Sequence, residues 1–230
     1  MGGASDGLRE GMFVRSFGCD AILFDLDGVL VDSTAVVVRI WSKWAERRGI
    51  EADRIMEVAH GRRTAETIGL VAPHLDAEAE TEELGRIEIE DLEGILGIEG
   101  ASELLASLPE DGWTVVTSGP RALATRRLEH VGLPVPKRFV AAEDVEEGKP
   151  HPEAYLKGAE IMGVPAEACA VIEDAPSGVR AARAAGMTVV AVATTHGRDE
   201  LFEADAVVDA LAGIHLSTGS GPRFELRAPD

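Results

Sequence analysis

Two carboxylates separated by one residue, Asp25 and Asp27, directly follow the apolar run Ala21–Phe24, and Gly28 comes next. A short apolar run of this kind predicts a strand that is buried on both faces of a parallel sheet. Residues two apart on an extended segment point the same way, so the two carboxylates would repel each other unless a cation or a shared proton compensated their charge. A magnesium ion with oxygen ligands would do so. Taken alone, the pattern favours the simpler interpretation of a strand that ends in an acidic turn.

Two hydroxyl side chains, Thr117 and Ser118, follow a second apolar run in the segment WTVVTSG, Trp113–Gly119. A hydroxyl and exposed backbone N–H groups at the end of a strand can hold a phosphoryl oxygen. Taken alone, the segment favours a different interpretation, in which Ser118 caps the helix that begins near Arg121. A phosphate site here is therefore a hypothesis that other motifs must support.

A lysine, Lys149, lies in the segment GKPHP just before a helix that Pro152 can open at its first position. A lysine there can offer a point charge both to a phosphate and to a nucleophilic carboxylate. The alternative is a solvated loop lysine. His151, in the same segment, fits better as a structural or exposed residue than as an acid or base, and we do not assign it.

An adjacent pair of acidic residues, Glu173 and Asp174, follows the apolar run Ala170–Ile172. Neighbours on an extended segment point to opposite sides, so we expect at most one of the two to ligate a metal directly. The other would support the site from behind by hydrogen bonding. The alternative is an acidic helix N-terminus, which the helix dipole favours.

The elements that must position these side chains alternate along the chain as short apolar runs and helical stretches. Repeated strand–helix units predict an α/β fold with a doubly wound, Rossmann-like core around a parallel sheet. The predicted strands are Ala21–Phe24, Thr114–Val116, Arg138–Ala141, Ala170–Ile172, Thr188–Ala193 and, more weakly, Ala206–Val208. The predicted helices, which end near glycines, are Arg121–Val131, Glu153–Met162 and Ser177–Ala185. In such a sheet ligands bind at the carboxyl ends of the strands, so the polar residues above are expected to converge.

One interval breaks this alternation. Between residues 33 and 99 no convincing strand is present, and the apolar residues recur at helical spacing. So long a helical interval between the first and second strands predicts an inserted helical cap subdomain rather than a single crossover. We therefore expect an α/β core at 18–32 and 100–215, a helical cap at 33–99, and flexible tails at 1–16 and 217–230.

The charge balance excludes some partners. Lysine and arginine number 22 against 41 aspartates and glutamates, which gives a formal net charge of −19. Such a surface repels nucleic acid and anionic membranes, and it has no positive field to gather phosphates from a distance. No apolar stretch approaches the roughly 20 residues of a transmembrane helix, and residues 1–16 lack the apolar core of a signal peptide. We expect a cytoplasmic protein whose partner is a small phosphorylated metabolite, with no nucleic acid and no membrane.

The order and spacing of the four motifs together resemble the haloacid dehalogenase superfamily of aspartate-nucleophile phosphohydrolases, over about residues 18–210. The helical insertion after the first strand matches the small helical cap of that family. The resemblance implies a phosphatase in which Asp25 is the nucleophile that forms an aspartyl-phosphate. It implies that Asp27 is the general acid and base.

The same resemblance assigns the remaining site residues. Thr117 matches the phosphate-binding hydroxyl, with Ser118 beside it as a second phosphate-binding candidate, and Lys149 matches the charge-balancing lysine of the phosphate site. Glu173 would support the metal site without ligating directly. The implied Mg²⁺ ligands, all of them oxygen donors, are Asp25, Asp27 and Asp174.

Within the superfamily the chain is most similar to the glycerol-3-phosphate and 2-deoxyglucose-6-phosphate phosphatases. The similar segments are HGRRT (His60–Thr64), VVTSG (Val115–Gly119), GKPHPEAYLKG (Gly148–Gly158) and IEDAPSGVRAARAAG (Ile172–Gly186). Such relatives place an arginine of the cap toward the substrate, and Arg63 matches that position better than Arg62. The implied substrate is a small sugar or polyol phosphate.

Two other functions remain alternatives. A sugar-phosphate mutase of the same fold would carry a cap histidine a short way after the second aspartate, but Val37 and its apolar neighbours stand there. Hydrolysis is therefore favoured over transfer. A halide-removing relative is less favoured still, because it would lack an equivalent of Asp27. The other alternative is a catalytically silent phosphate-binding protein, which the presence of all the expected catalytic residue types disfavours.

Overall fold

The computed structural model describes residues 14–217 and 222–229. The strands, in chain order, are β1 (Val14–Cys19), β2 (Ala21–Phe24), β3 (Val31–Asp32), β4 (Leu96–Gly97), β5 (Trp113–Val115), β6 (Cys169–Glu173), β7 (Thr188–Val192), β8 (Ala206–Val208), β9 (His215–Ser217) and β10 (Phe224–Pro229). The helices are α1 (Thr34–Arg48), α2 (Ala52–Ala59), α3 (Thr64–Val71), α4 (Ala77–Glu90), α5 (Ala101–Ala106), α6 (Arg121–His130), α7 (Glu153–Met162) and α8 (Pro176–Ala184).

A five-stranded parallel sheet with the order β5-β2-β6-β7-β8 forms the centre of the molecule. Strand β2 is completely buried, and its alternate residues belong to two separate hydrophobic clusters, one on each face of the sheet. This is why its sequence is continuously apolar rather than alternating. Since β2 lies between β5 and β6, the carboxyl ends of these three strands adjoin each other. The predicted doubly wound, Rossmann-like α/β core is confirmed.

One predicted strand of the core, at Arg138–Ala141, is not formed. The segment makes a single parallel bridge, between Val116 and Val140. Ladder pairing stops there because the N–H of Ala141 is taken by the carboxylate of Asp144, at 2.8 Å, and a short 3₁₀ turn follows.

Helices α1 to α4 occupy the interval between β3 and β4, as the helical spacing predicted. We call residues 34–90 the helical insertion. Strands β3 and β4 pair antiparallel, with Val31 opposite Gly97, so the chain leaves and re-enters the core through two adjacent strands. The buried indole N–H of Trp44 on α1 donates to the Glu80 carboxylate on α4 at 2.7 Å, which ties the first and last helices of the insertion together. Treating the insertion as a separate subdomain, with the boundaries given above, remains a prediction.

The prediction of flexible tails at 1–16 and 217–230 is wrong wherever the structure describes them. Strands β1, β10 and β9 form a three-stranded antiparallel sheet. Three side chains of β10 are buried, Phe224, Leu226 and Ala228, and they alternate with more exposed ones. This period-2 pattern lies in a segment whose polar, Gly- and Pro-containing surroundings suggested disorder, and its partner strand is at the other end of the chain. The rest of the predicted tails, at 1–13, 218–221 and 230, lies outside the described residues.

Among the residues that the structure describes, no helix is both long enough and apolar enough to cross a membrane.

The burial of β10 leads to a prediction about stability. Leu226 is completely buried, so Leu226→Ala should lower the free energy of unfolding by about 2–5 kcal/mol, the cost of a lost core leucine. Denaturant unfolding at neutral pH measures it. Arg227→Ala is the matched control, because Arg227 is exposed on the other face of the same strand. Equal, small effects of the two changes would contradict the ordered C-terminal strand.

Candidate active site

A buried lysine joins the carboxyl ends of three neighbouring strands. The Nζ atom of Lys149 lies 2.5 Å from Asp25 Oδ1, beyond β2, and 2.8 Å from Glu173 Oε1, at the end of β6. It also donates to the carbonyl oxygen of Val116, beyond β5, at 3.2 Å. Three acceptors use all three protons of the ammonium group. Lys149 is therefore fully engaged by the protein and is 1 % exposed.

The charged groups in this cluster shift each other's pKa values. Burial alone would lower the pKa of Lys149, but the negative charges of Asp25 and Glu173 raise it well above its ordinary value. Burial raises the pKa of Asp25 to about 7, with the charge of Glu173 adding to the rise and that of Lys149 opposing it. Without its lysine, Asp25 would be a neutral acid at physiological pH.

Glu173 is completely buried, and both of its carboxylate oxygens accept hydrogen bonds from the protein. Besides Lys149, its Oε1 accepts from the hydroxyl of Tyr155 at 2.8 Å. Its Oε2 accepts from the backbone N–H groups of Asp174 and Ala175 at 2.8 and 2.9 Å. Burial favours the neutral form, but the lysine and these donors outweigh it and hold the pKa of Glu173 below its ordinary value. A Cβ at Gly178 would lie 1.5 Å from Oε1, so the PSG turn that opens α8 needs its glycine to make room for this carboxylate.

Asp174 points the other way, toward the first motif. Its Oδ2 would lie 2.1 Å from a Cβ at Gly28, which has a positive φ of 83°. Glycine is thus required at 28 both for the turn and for the close approach of Asp174. Burial and the charges of Glu173 and Asp25 raise the pKa of Asp174 well above its ordinary value. The hydroxyl of Thr195, after β7, donates to Oδ2. The sequence analysis did not assign Thr195, although hydroxyls at a strand end were the available signal.

Two hydrogen bonds fix the position of the Asp27 carboxylate. Its Oδ1 accepts from the hydroxyl of Ser33 at 2.7 Å and from Nη1 of Arg127 at 2.6 Å. Arg127, on α6, has a side chain that is only 4 % exposed. The sequence analysis missed this arginine. The available signal was its position: Arg127 follows Ala124 by three residues and Leu123 by four, which places it on the same buried face of α6.

The carboxylates fit a hard cation in part. Asp25 and Asp174 are two buried acids with raised pKa values that lie at the same edge, and a divalent cation between them would favour their charged forms. In residues 14–217 and 222–229, no group of three or more His, Cys, Asp or Glu side chains is arranged to hold a metal ion. One oxygen of the Asp27 carboxylate, Oδ1, accepts from Ser33 and Arg127 instead. Magnesium, which usually keeps several waters, suits a site with two carboxylates.

The sheet edge and the helical insertion together line one cavity. Five of the residues predicted from sequence line it: Asp25, Asp27, Thr117, Ser118 and Asp174. Lys149 and Glu173 do not line it, so Lys149 acts on the cavity through Asp25 rather than directly on a ligand. From the insertion, His60, Arg62 and Glu88 contribute to the wall.

The two hydroxyls after β5 have different environments. Thr117 is buried, and its Oγ1 accepts from the N–H of Gly119 at 3.0 Å, which leaves its own proton available to a ligand in the cavity. Ser118 instead donates to the carbonyl oxygen of Gly61 in the insertion, at 2.9 Å. The hydroxyl proton of Ser118 is thus used by the insertion, and phosphate binding by Ser118 remains a prediction. Helix α6 begins without a side-chain cap, so Ser118 is not an N-cap either.

The interpretation of Arg63 as the arginine that faces the cavity is wrong. Its Nε and Nη2 donate to Glu66 Oε1 at 2.8 and 2.5 Å, and its Nη1 and Nη2 donate to the carbonyls of Val145 and Glu146 at 3.2 and 2.9 Å. Arg63 thus fastens the insertion to the loop that leads into Lys149. Arg62 lines the cavity instead.

Comparisons with known proteins show the family to which the chain belongs. A family model described as a haloacid dehalogenase-like hydrolase matches residues 19–186. Hexitol phosphatase A of Escherichia coli is 41% identical over 204 residues, which cover 86% of this chain and 94% of that protein. Glycerol-1-phosphate phosphohydrolase 2 of Saccharomyces cerevisiae is 36% identical and is matched over 82% of this chain and 80% of its own length. A solved structure, a hydrolase from Pseudomonas syringae, superimposes with a TM-score of 0.73 at 28% identity, covering 84% of this chain and 94% of that one. The predicted resemblance to sugar and polyol phosphate phosphatases is confirmed.

The buried lysine leads to a stability prediction. Lys149→Met should lower the free energy of unfolding by roughly 3–5 kcal/mol at pH 7.5 without divalent cations, because it leaves two buried carboxylates unpaired. Lys149 lowers the pKa of both acids, so its removal raises both. An acid whose pKa is raised on folding loses stability as pH rises through that pKa, so the deficit should shrink toward pH 5.

Denaturant titrations of wild type and variant at several pH values measure this deficit. Lys137→Met is the control, since Lys137 is 85% exposed and pairs only with exposed Glu110. It should leave stability nearly unchanged at every pH. A deficit that does not depend on pH would contradict the role of Lys149 as charge partner.

Proposed function

The chain belongs to the haloacid dehalogenase-like hydrolase family, and we propose that it is a magnesium-dependent phosphatase of small sugar or polyol phosphates that acts through an aspartyl-phosphate on Asp25. The observation that carries the proposal is the 2.5 Å contact between Lys149 Nζ and Asp25 Oδ1. The contact favours the charged form of a buried carboxylate at the wall of a cavity, and the charged form is the state that a nucleophile needs. The activities in the names of the two relatives, on hexitol phosphate and glycerol-1-phosphate, support the substrate class.

The metal ligands are part of the same proposal. We assign the carboxylates of Asp25 and Asp174 to the cation. Asp27, whose Oδ1 accepts from Ser33 and Arg127 and whose Oδ2 is left for proton transfer, is assigned through its main-chain carbonyl oxygen. When bound, magnesium would neutralise charge on the phosphoryl oxygens and hold the phosphate in line with Asp25.

In the first step of the proposed reaction, each residue of the site has its own task. Lys149 holds Asp25 as a carboxylate with Oδ1, and the other oxygen, Oδ2, accepts no hydrogen bond in the described part of the chain. In the first step Oδ2 forms a bond to phosphorus as the ester P–O bond breaks, while Thr117 donates a hydrogen bond to a phosphoryl oxygen. Asp27 gives its proton to the departing alkoxide.

The second step returns the enzyme to its starting state. Asp27, now a carboxylate, takes a proton from a water molecule whose oxygen attacks phosphorus. The bond between phosphorus and Asp25 breaks, and inorganic phosphate leaves. Arg127 and Ser33 hold the Asp27 carboxylate in place between the two steps.

Hydrolysis is favoured over the mutase alternative. Val37, which stands where a related mutase would carry its cap histidine, lines the cavity and cannot exchange a proton. The pairing of buried Asp25 with Lys149 disfavours a catalytically silent phosphate-binding protein, because binding alone requires no nucleophile. A cytoplasmic location remains a prediction from the sequence.

Replacement of the nucleophile tests the proposal. Asp25→Asn should abolish phosphate release from both p-nitrophenyl phosphate and hexitol 6-phosphate, because the amide is a far poorer nucleophile. Wild type should lose activity in excess chelator and regain it with Mg²⁺. After rapid quenching with radiolabelled substrate, wild type should retain covalently bound phosphate and the variant should retain none.

Asp53→Asn is the control, since Asp53 is exposed on α2 and does not line the cavity. It should match wild type in all three measurements. Turnover by Asp25→Asn at a rate near that of wild type would exclude the covalent mechanism, and full activity in chelator would exclude the metal.

The two arginines of the HGRRT segment should behave differently. Arg62→Ala should lower kcat/KM for hexitol 6-phosphate roughly tenfold to hundredfold, as for a lost hydrogen bond from a charged group, and should affect p-nitrophenyl phosphate much less. Arg63→Ala should lower kcat/KM for both substrates by a similar factor, because it releases the insertion from the loop at Val145 and Glu146. Steady-state kinetics with both substrates measure this. Selective loss in Arg63→Ala would reverse the two assignments.

A further inference from the structure

Two nitrogen atoms of the Arg127 guanidinium group have no hydrogen-bond partner among the described residues. Its Nη1 donates to Asp27, but its Nε and Nη2 are buried without a partner in the described part of the chain. A buried donor of a charged group that makes no hydrogen bond costs free energy, so each such atom calls for an explanation. Arg127 lines the same cavity as Asp25.

Glu88 is a buried acceptor in the same wall. It lies on α4 of the helical insertion, is 6 % exposed, and accepts no hydrogen bond from residues 14–217 or 222–229. Burial raises its pKa, the charge of Arg127 opposes that rise, and the charge of Asp27 adds to it. Glu88 is therefore near enough to feel both groups, yet no ion pair joins it to Arg127 among the described residues.

The pair has the chemistry of a hydroxyl-binding site. A hydroxyl both donates and accepts, so a chain of neighbouring hydroxyls can accept from Arg127 and donate to Glu88 at once. A second phosphate would be repelled by Glu88 and by Asp27, and an aromatic or alkyl group would leave all three polar atoms unpaired. Of the groups that a phosphorylated metabolite carries, neutral hydroxyls fit best.

We propose that Arg127 and Glu88 form a subsite that binds the hydroxyls of the substrate's polyol chain beside the phosphate. The proposal rests on the function given above and makes it more specific. Because Arg127 also holds Asp27, a hydroxylated chain in the subsite and the acid that protonates its leaving oxygen share one guanidinium group. The subsite spans the two parts of the molecule, with its donor on α6 of the core and its acceptor on α4 of the insertion.

A ratio of two activities tests the subsite. Glu88→Met keeps the length of the side chain and removes the acceptor. The ratio of kcat/KM for hexitol 6-phosphate to kcat/KM for p-nitrophenyl phosphate should fall at least tenfold relative to wild type. Both kcat/KM values scale with the fraction of enzyme that is folded, so this fraction cancels from their ratio. A loss of stability alone therefore leaves the ratio unchanged. Arg127→Lys, which keeps the positive charge but not the planar set of donors, should lower the same ratio.

Glu90→Met is the matched control, because Glu90 is exposed on the same helix and carries the same charge. Its ratio should equal that of wild type. If Glu88 only balances the charge of Arg127, both substrates lose activity equally, the ratio stays within about twofold of wild type, and the subsite is refuted.

The outcome also separates the subsite from the proposed function. Wild type that releases phosphate from p-nitrophenyl phosphate but not from hexitol 6-phosphate would refute the subsite and the proposed substrate class, but not the phosphatase mechanism on Asp25. Wild type that releases phosphate from neither would refute the proposed function. In that case calorimetric binding of hexitol 6-phosphate to wild type and Glu88→Met decides on the subsite, since equal Kd values would overturn it and at least tenfold weaker binding by the variant would support it.

Discussion

The contact of one buried ammonium group with two buried carboxylates is the constraint on which the rest of the site depends. Lys149 reaches Asp25 beyond β2, Val116 beyond β5 and Glu173 in β6, so it can be satisfied only when these three strands are in register. In a low-dielectric interior neither carboxylate stays ionised without the lysine, and the lysine does not stay buried without them. The register of the sheet and the charge on the nucleophile are therefore fixed by the same interaction.

Much of this arrangement could be predicted from the sequence, because it follows from local patterns. Continuous apolar runs identify the buried strands, and polar residues at their carboxyl ends must meet at one edge of a parallel sheet. The adjacent pair Glu173 and Asp174 had to face opposite sides, and the structure turns Glu173 to Lys149 and Asp174 to the cavity. Spacing alone did not say which of the two faces the cavity, and the assignment of Asp174 to the metal and Glu173 to its support came from the family resemblance.

The features that were missed or mistaken depend on contacts between distant segments. Arg63 and Arg62 are adjacent and of the same type, and the contacts of Arg63 with a loop some eighty residues away decide which one is left to line the cavity. Arg127 becomes meaningful only when α6 packs beside Asp27, a hundred residues away in the chain. The pairing of β10 with β1 joins the two ends of the described chain, and a window of sequence that contains one strand gives no information about the other.

The antiparallel pairing of β3 with β4 bears on how such a molecule can diversify. The chain leaves the core at Asp32 and returns at Leu96, which is paired with it. The two ends of the insertion therefore lie side by side, whatever the length of the segment between them. Two of the groups that would choose a substrate, Arg62 and Glu88, lie within that one continuous segment, and a third, Arg127, lies in the core. Exchange of the segment would therefore alter only part of the selectivity of the molecule. The new segment would also have to restore the contact that Arg63 makes with the loop at Val145 and Glu146.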